Sequence, residues 1–427
     1  MLLPMTRPRR PATGAAGAGD AIREGVEELE TSSRDLLLLA VGDVHMDRED
    51  PESALALASS VLSAADVLFG NCEGVYTDGS VRAPSAGIPV VSGLRNAQGL
   101  AVASFDVMNC ANNHIVDGGH EGLADTLAAL RRLGIQPVGA GASLDEARQP
   151  AVIERNGTQV GFIAFGSDFP PGYEARQRVP GLNPMRIHTH YCKGDGETLL
   201  PGGPPRIVTS PYGEDLQVLA DSISAIREVC DVVVCSFHWG EGLQPVVLMD
   251  YERDVARRAI DFGADVVLCH HHHTMRGVDF YRGSPIFHGI CHFVPDYPNI
   301  EEAVPPEMMK AIAEGYGDFA IQVHDDYPLL PMHPDARMAM IAACRISDGE
   351  VEQVGVIPCC INANGQPHPV ELDGADGRRW LDYFERTSWA EGFDTGVTPA
   401  EDRVHDAPLL ILRPGQGSRD KCQSGAF

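Results

Sequence analysis

From Asp35 onward, short apolar runs alternate with amphipathic stretches, and turn residues stop most of the runs. Leu36-Leu37-Leu38-Leu39-Ala40-Val41 reads as a strand closed by Gly42-Asp43, and Val67-Leu68-Phe69 reads as a second. Phe105 to Cys110, Gln159 to Phe165, Val232 to Phe237 and Val266 to Cys269 follow in the same style. Between them lie helical patterns over residues 52 to 64, 122 to 133 and 251 to 262. Leu123, Leu127 and Leu130 share one helical face, and Gly134 ends that helix. Strand and helix alternating in this way predict one large α/β domain. Residues 338 to 357 read differently, as an antiparallel pair turning at Ser347-Asp348-Gly349, which makes the sheet mixed.

The remaining segments lack periodicity. Residues 1–33 are an Ala/Gly/Pro-rich leader expected to be disordered. The domain is placed at 34–395, with a Pro/Gly-rich insertion at 168–212 expected to lie over one face. Residues 396–427 are set apart as a C-terminal extension with a flexible tail.

Composition narrows the partners. The chain of 427 residues carries 33 basic against 60 acidic residues, a net charge of -27. That balance disfavours nucleic acid and anionic membrane surfaces, which need clustered Lys or Arg. An anionic substrate would need a local positive centre, which bound metal ions could supply. The 11 cysteines form no CxxC pair, and several sit in apolar runs, as expected of reduced thiols in a cytoplasmic protein. No run of apolar residues is long enough to predict a transmembrane span, and the Arg9-Arg10 start lacks the apolar segment of a secretion signal.

Five strand ends carry residues that bind metals. They are Asp43-Val44-His45, Asn71-Cys72-Glu73, Asn112-Asn113-His114 with Asp117, His238-Trp239-Gly240-Glu241, and the run His270-His271-His272-His273. Imidazole is a common metal ligand and a poor core residue. A carboxylate such as Glu73 can bridge two cations about 3.5–4 Å apart. If the histidine run is extended, alternate members His271 and His273 point the same way. The mixed His, Asn and carboxylate set suits two divalent transition ions, Mn, Fe or Zn, better than Mg or Ca. Such a centre would activate a bridging water, and the His114 imidazole can face substrate instead of metal. Asp117 would either orient that imidazole or cap the following helix.

These stretches resemble the CapA (poly-γ-glutamate capsule synthesis protein) family of bacteria, related to calcineurin-like metallophosphoesterases. The resemblance rests on VGDVH (41–45), ADVLFGNCEG (65–74), the NNHIVDGG segment (112–119), SFHWGEG (236–242) and GADVVLCHHHHTMRGVDFYRGSPIFHGI (263–290), with a weaker match over 336–372. It implies a four-layer α/β/β/α metallophosphoesterase-like sandwich with mixed sheets. It further implies metal ligands at Asp43, His45, Glu73, Asn113, His238, His271 and His273, and catalytic roles for His114 and Asp117. Asn112, Trp239, Glu241, Arg276, His288 and His292 are candidates for contacting substrate. Arg276 reads equally well as half of a salt bridge, and His288 and His292 as core histidines. The chain departs from the family in Gly289-Ile290-Cys291-His292-Phe293, where Ser-Leu-Gly-Asn-Phe is usual, and in His288, where an aromatic residue is usual. It keeps the His of D-x-H that many members lack. Family members are generally membrane-anchored or exported.

Three functions remain open at this level. The first is hydrolysis of a phosphoester or amide bond in a small-molecule or peptide-like substrate. The second is a part in poly-γ-glutamate or other amide-bond synthesis, and the third is a non-catalytic metal-bearing scaffold. A solitary ATP-dependent ligase is disfavoured because no GxxxxGK[ST] phosphate loop is present.

Overall fold

The computed structural model describes residues 34–193, 205–244, 247–298 and 300–415. The leader and the last residues of the tail, read above as flexible, lie outside the described residues. Two large sheets face each other.

The larger sheet has ten strands. Its parallel half runs Leu36–His45, Val67–Cys72, Val107–Asn109, Gln136–Val138. On the other side of Leu36–His45 the strands are antiparallel: Met338–Ser347, Glu350–Ile361, Ala407–Pro414 and Thr395–Val404. The short strand His292–Pro295 pairs with the end of Leu36–His45, in register with Asp43. The second sheet has six strands with a parallel centre, Thr158–Gly166, Val232–His238 and Val266–His270.

Alternation along each strand sorts its residues into two layers. Val232, Val234, Val266 and Leu268 enter the core between the sheets. Val233, Cys235, Val267 and Cys269 enter a second core with Leu219, Ile223, Val255 and Ala259 of the helices Gly213–Arg227 and Asp250–Phe262. Strands buried on both faces show continuous apolar runs. Phe69 and Phe162, one from each sheet, stack 5.4 Å apart at the centre. Helices Gly119–Arg132 and Ala375–Ala390 cover the larger sheet through Leu123, Leu127, Trp380 and Phe384. The result is the α/β/β/α sandwich with mixed sheets. Among the described residues no helix is long and apolar enough to cross a membrane.

Three segments differ from their sequence pattern. Residues 52 to 64 form a 3₁₀ turn, Pro51–Leu55, and one α-turn, Ser59–Leu62, instead of a continuous helix. Ser53, Ser59 and Ser63 hydroxyls each bond to a carbonyl three residues back, competing with the helical ladder. The 168–212 insertion contains a hairpin, Ile187–Cys192 paired with Arg206–Pro211. Its first strand is largely exposed and its second at most half-buried, so no apolar alternation announces it. Thr395–Val404 and Ala407–Pro414, read as an extension, are sheet strands that bury Leu409, Leu410 and Leu412.

Candidate metal centre

Parallel strands from both sheets end at one edge of the sandwich, which is where open α/β sheets place ligands. Gly42 lets the first strand pass against the chain before His292. A Cβ there would lie 1.6 Å from the Cys291 carbonyl oxygen, to which the Asp43 N–H donates at 2.8 Å. Asp43 is thereby fixed beside His292. The Asn71 amide donates to Asp43 Oδ1 at 2.8 Å and to Glu73 Oε2 at 2.7 Å, and Asn109 holds Asn71 Oδ1 at 2.8 Å. Asp43 Oδ2 and Glu73 Oε1 stay buried with no partner. Burial pushes the Asp43 carboxyl up to about 7 and Glu73 well above the usual carboxylate range.

Two donor groups converge here. Asp43, Glu73 and His238 form one, and Asp43, His273 and His292 the other, each with ligand atoms within 4.8 Å of one another. Asp43 is common to both, the position that sequence reasoning gave to Glu73. The Nδ1 atoms of His273 and His292 are buried without partners, and their rings stack 4.5 Å apart. Burial lowers His292 to about 3 and His273 and His238 well below the imidazole range, leaving neutral rings with lone pairs to offer. Orphaned carboxylate oxygens facing neutral imidazoles fit divalent cations.

His238 Nε2 also lies 2.7 Å from Asn113 Oδ1 and 3.1 Å from His271 Nδ1, so Asn113 and His271 flank the first group. His271 behaves differently from the other rings. Burial opposes its charge, but the Asp168 carboxylate, 3.1 Å from Nε2, and Asp43 outweigh this and raise its pKa. His45 joins neither group. It is buried between Tyr76 and Tyr297 with Nδ1 unpartnered.

The histidine run is not extended beyond His270: His271 and His273 have φ of 94° and 57°. These left-handed residues turn both rings into one cavity, 5.7 Å apart. Strain of this kind concentrates at functional sites. His270 stays out of the cavity, packed against Phe69 with Nδ1 3.8 Å from Asp43 Oδ1, and His272 meets Glu252 Oε2 at 2.7 Å.

Beside the donors, His114 Nδ1 lies 2.7 Å from Asp117 Oδ2. The same carboxylate accepts the Val90 N–H at 2.7 Å and the Tyr173 hydroxyl at 2.6 Å. Asp117 is therefore committed to the imidazole and the loops around it, and the helix Gly119–Arg132 has no side-chain cap. His114 Nε2 is left near Asn113 Nδ2 (3.1 Å) and Glu73 Oε1 (3.9 Å).

A cavity of about 730 Å³ opens over the centre, lined by Asn113, His114, Asp117, Asp168, Glu241, His271 and His273 among others.

The family described as Bacterial capsule synthesis protein PGA_cap matches residues 37–297, more than half of the chain. The chain belongs to that family. It is 27% identical over 280 residues to the PGA biosynthesis protein CapA of Bacillus subtilis, a match covering 63% of this chain and 66% of that one. It is 32% identical over 249 residues to a protein of Mycobacterium tuberculosis named "Probable polyglutamine synthesis accessory protein", covering 57% of this chain and 60% of that one. The Capsule biosynthesis protein CapA of Bacillus anthracis is 27% identical over 194 residues, covering 45% and 41%. The chain thus spans less than two thirds of the length of each of these relatives. A crystal structure of a hypothetical protein from Thermus thermophilus aligns with 76% of this chain and 98% of its own at 12% identity and a TM-score of 0.42, too distant to support an argument.

His292, expected as a substrate contact, lies instead in a donor group. Other candidates for substrate contact lie elsewhere. Trp239 is buried in the outer core, stacked 4.1 Å from Phe237. Arg276 is fully buried and donates to the carbonyls of Gln244 and Glu241. His288 stacks on Phe393 at 4.7 Å, and Asn112 bonds to the Cys72 carbonyl and the His114 N–H. None of these four lines the cavity, whereas Glu241 does. His188 and His190 also stay out of it, because their strand turns Ile187 and Thr189 inward. Asn71, Asp168 and Tyr173 escaped the sequence reading. Asn71 was legible only as part of a strand end, and the other two sit in a segment without periodicity.

Proposed function

We propose that this PGA_cap protein is a metal-dependent hydrolase with a dinuclear centre that cleaves a phosphoester or amide bond. One observation carries the reading: Asp43 belongs to two donor groups at once, with Oδ2 buried and unpartnered. Divalent Mn, Fe or Zn bound there would supply Lewis acidity and a water activated near neutral pH. Glu73 and His238 would hold one ion, with Asn113 and His271 beside them, and His273 and His292 the other. Asn71 keeps the two carboxylates apart and oriented.

His114 does the proton work. With Nδ1 tied to Asp117, its Nε2 is directed at the cavity floor next to Glu73, where it would donate to the leaving group or hold a non-bridging oxygen. Asp117 fixes the tautomer and the ring's direction. Hydrolysis assays with metal-reconstituted protein on phosphomonoesters, phosphodiesters and γ-glutamyl amides test this. Turnover of one bond class that disappears in Asp43→Asn is expected, and equal turnover in both proteins would refute the assignment. A second reading, participation in γ-glutamyl polymer synthesis, is favoured by the names of the Bacillus and Mycobacterium relatives.

A further inference from the structure

The cavity over the centre has an unusual charge for a site in a family named for an anionic polymer. Among the described residues, no lysine or arginine lines it. Arg276, close in sequence to the histidine run, is buried outside the lining, with Nη2 donating to the carbonyls of Glu241 and Gln244 and Nε and Nη1 without a hydrogen-bond partner. The charged side chains at the cavity away from the donor groups are carboxylates, Asp168 and Glu241. The walls include an apolar patch of Ile88, Phe169, Leu243, Ile312, Ile321 and Met332 beside the hydroxyl-bearing Ser167, Thr189 and Thr209.

Helix Pro306–Tyr316 buries none of its own residues, yet Ile312 and Tyr316 line the cavity. Burial and the facing Glu241 carboxylate push the Tyr316 hydroxyl up to about 12, so this hydroxyl stays protonated toward Glu241. The helix therefore walls one side of an open cavity of the size that takes a small molecule.

Beyond the single group that reaches the metal centre, a chain of carboxylates entering this space would meet Asp168 and Glu241 and, among the described lining residues, no lysine or arginine, in a protein of net charge -27. An apolar body would gain about fourfold in affinity for each methylene removed from water. We infer that the substrate is a compact molecule bearing one reacting phosphoryl or carbonyl group on an apolar body without negative charge. This rests on the metal-centre reading and names the class of compound that centre acts on.

Isothermal titration of the full-length, metal-reconstituted protein with inorganic phosphate, hexylphosphonate and γ-linked tetraglutamate separates the possibilities. Hexylphosphonate should bind at least about tenfold tighter than phosphate and than tetraglutamate. Ile312→Asp should narrow the hexylphosphonate-to-phosphate ratio by about tenfold. Tetraglutamate binding as tightly as hexylphosphonate, or hexylphosphonate no tighter than phosphate, would overturn the inference. Loss of phosphate binding with hexylphosphonate still bound would contradict the metal centre while supporting the apolar patch. Failure of all three probes to bind would overturn both.

Discussion

A proton on Asp43 competes with any ion held between the two donor groups. With its carboxyl raised to about 7 by burial, Asp43 is mainly protonated below that pH in the metal-free protein, and binding an ion there must displace the proton. Metal affinity should therefore fall about tenfold for each pH unit below 7 from this group alone, and level off above it. Calorimetric Zn or Mn titrations between pH 5.5 and 8 check this, and an affinity independent of pH would count against it. His114→Asn should lower kcat by about 10²–10⁴ while leaving metal content unchanged, since the ring faces the cavity beside the donors. The division of the histidine run was expected from alternation along an extended strand, but the strand ends at His270. His271 and His273 share a cavity through positive φ, which tertiary packing imposes and the sequence does not display. His292 was legible only as an unusual histidine, because its place beside Asp43 depends on a strand pairing across nearly 250 residues.

Strands and helices place these residues, and their stability can be probed away from the chemistry. Phe69→Ala should destabilise the fold by about 3–5 kcal/mol, because its stack with Phe162 joins the two sheets. Denaturant unfolding would show this, and a loss under 1 kcal/mol would mean the sheets are not joined there. Gly42→Ala should disturb metal binding as well, since a Cβ cannot share space with the Cys291 carbonyl that positions Asp43. Most of the parallel strands were legible because they are buried on both faces and read as apolar runs; Gln136–Val138, exposed at Gln136, was not. The hairpin Ile187–Cys192 with Arg206–Pro211 was not, because exposure removes the alternation. Thr395–Val404 has the same difficulty, being mostly exposed and containing Pro399.

Across the whole molecule, the larger sheet runs from Gln136–Val138 at one edge to Thr395–Val404 at the other. Truncation after Asp394 would strip Ala407–Pro414 from Glu350–Ile361 and uncover the apolar face that Leu410 and Leu412 bury. Such a variant should aggregate on expression, as judged by size-exclusion chromatography, and a monodisperse product would show the pair to be dispensable. The net charge of -27 leaves bound cations as the natural source of positive potential at the site. The most direct test of the account is therefore the metal content of the purified protein and of Asp43→Asn, measured by inductively coupled plasma mass spectrometry after reconstitution. Two ions per chain in the parent and near none in Asp43→Asn is the predicted result. Retention of the parent's full metal content by Asp43→Asn would contradict a centre built around a shared Asp43.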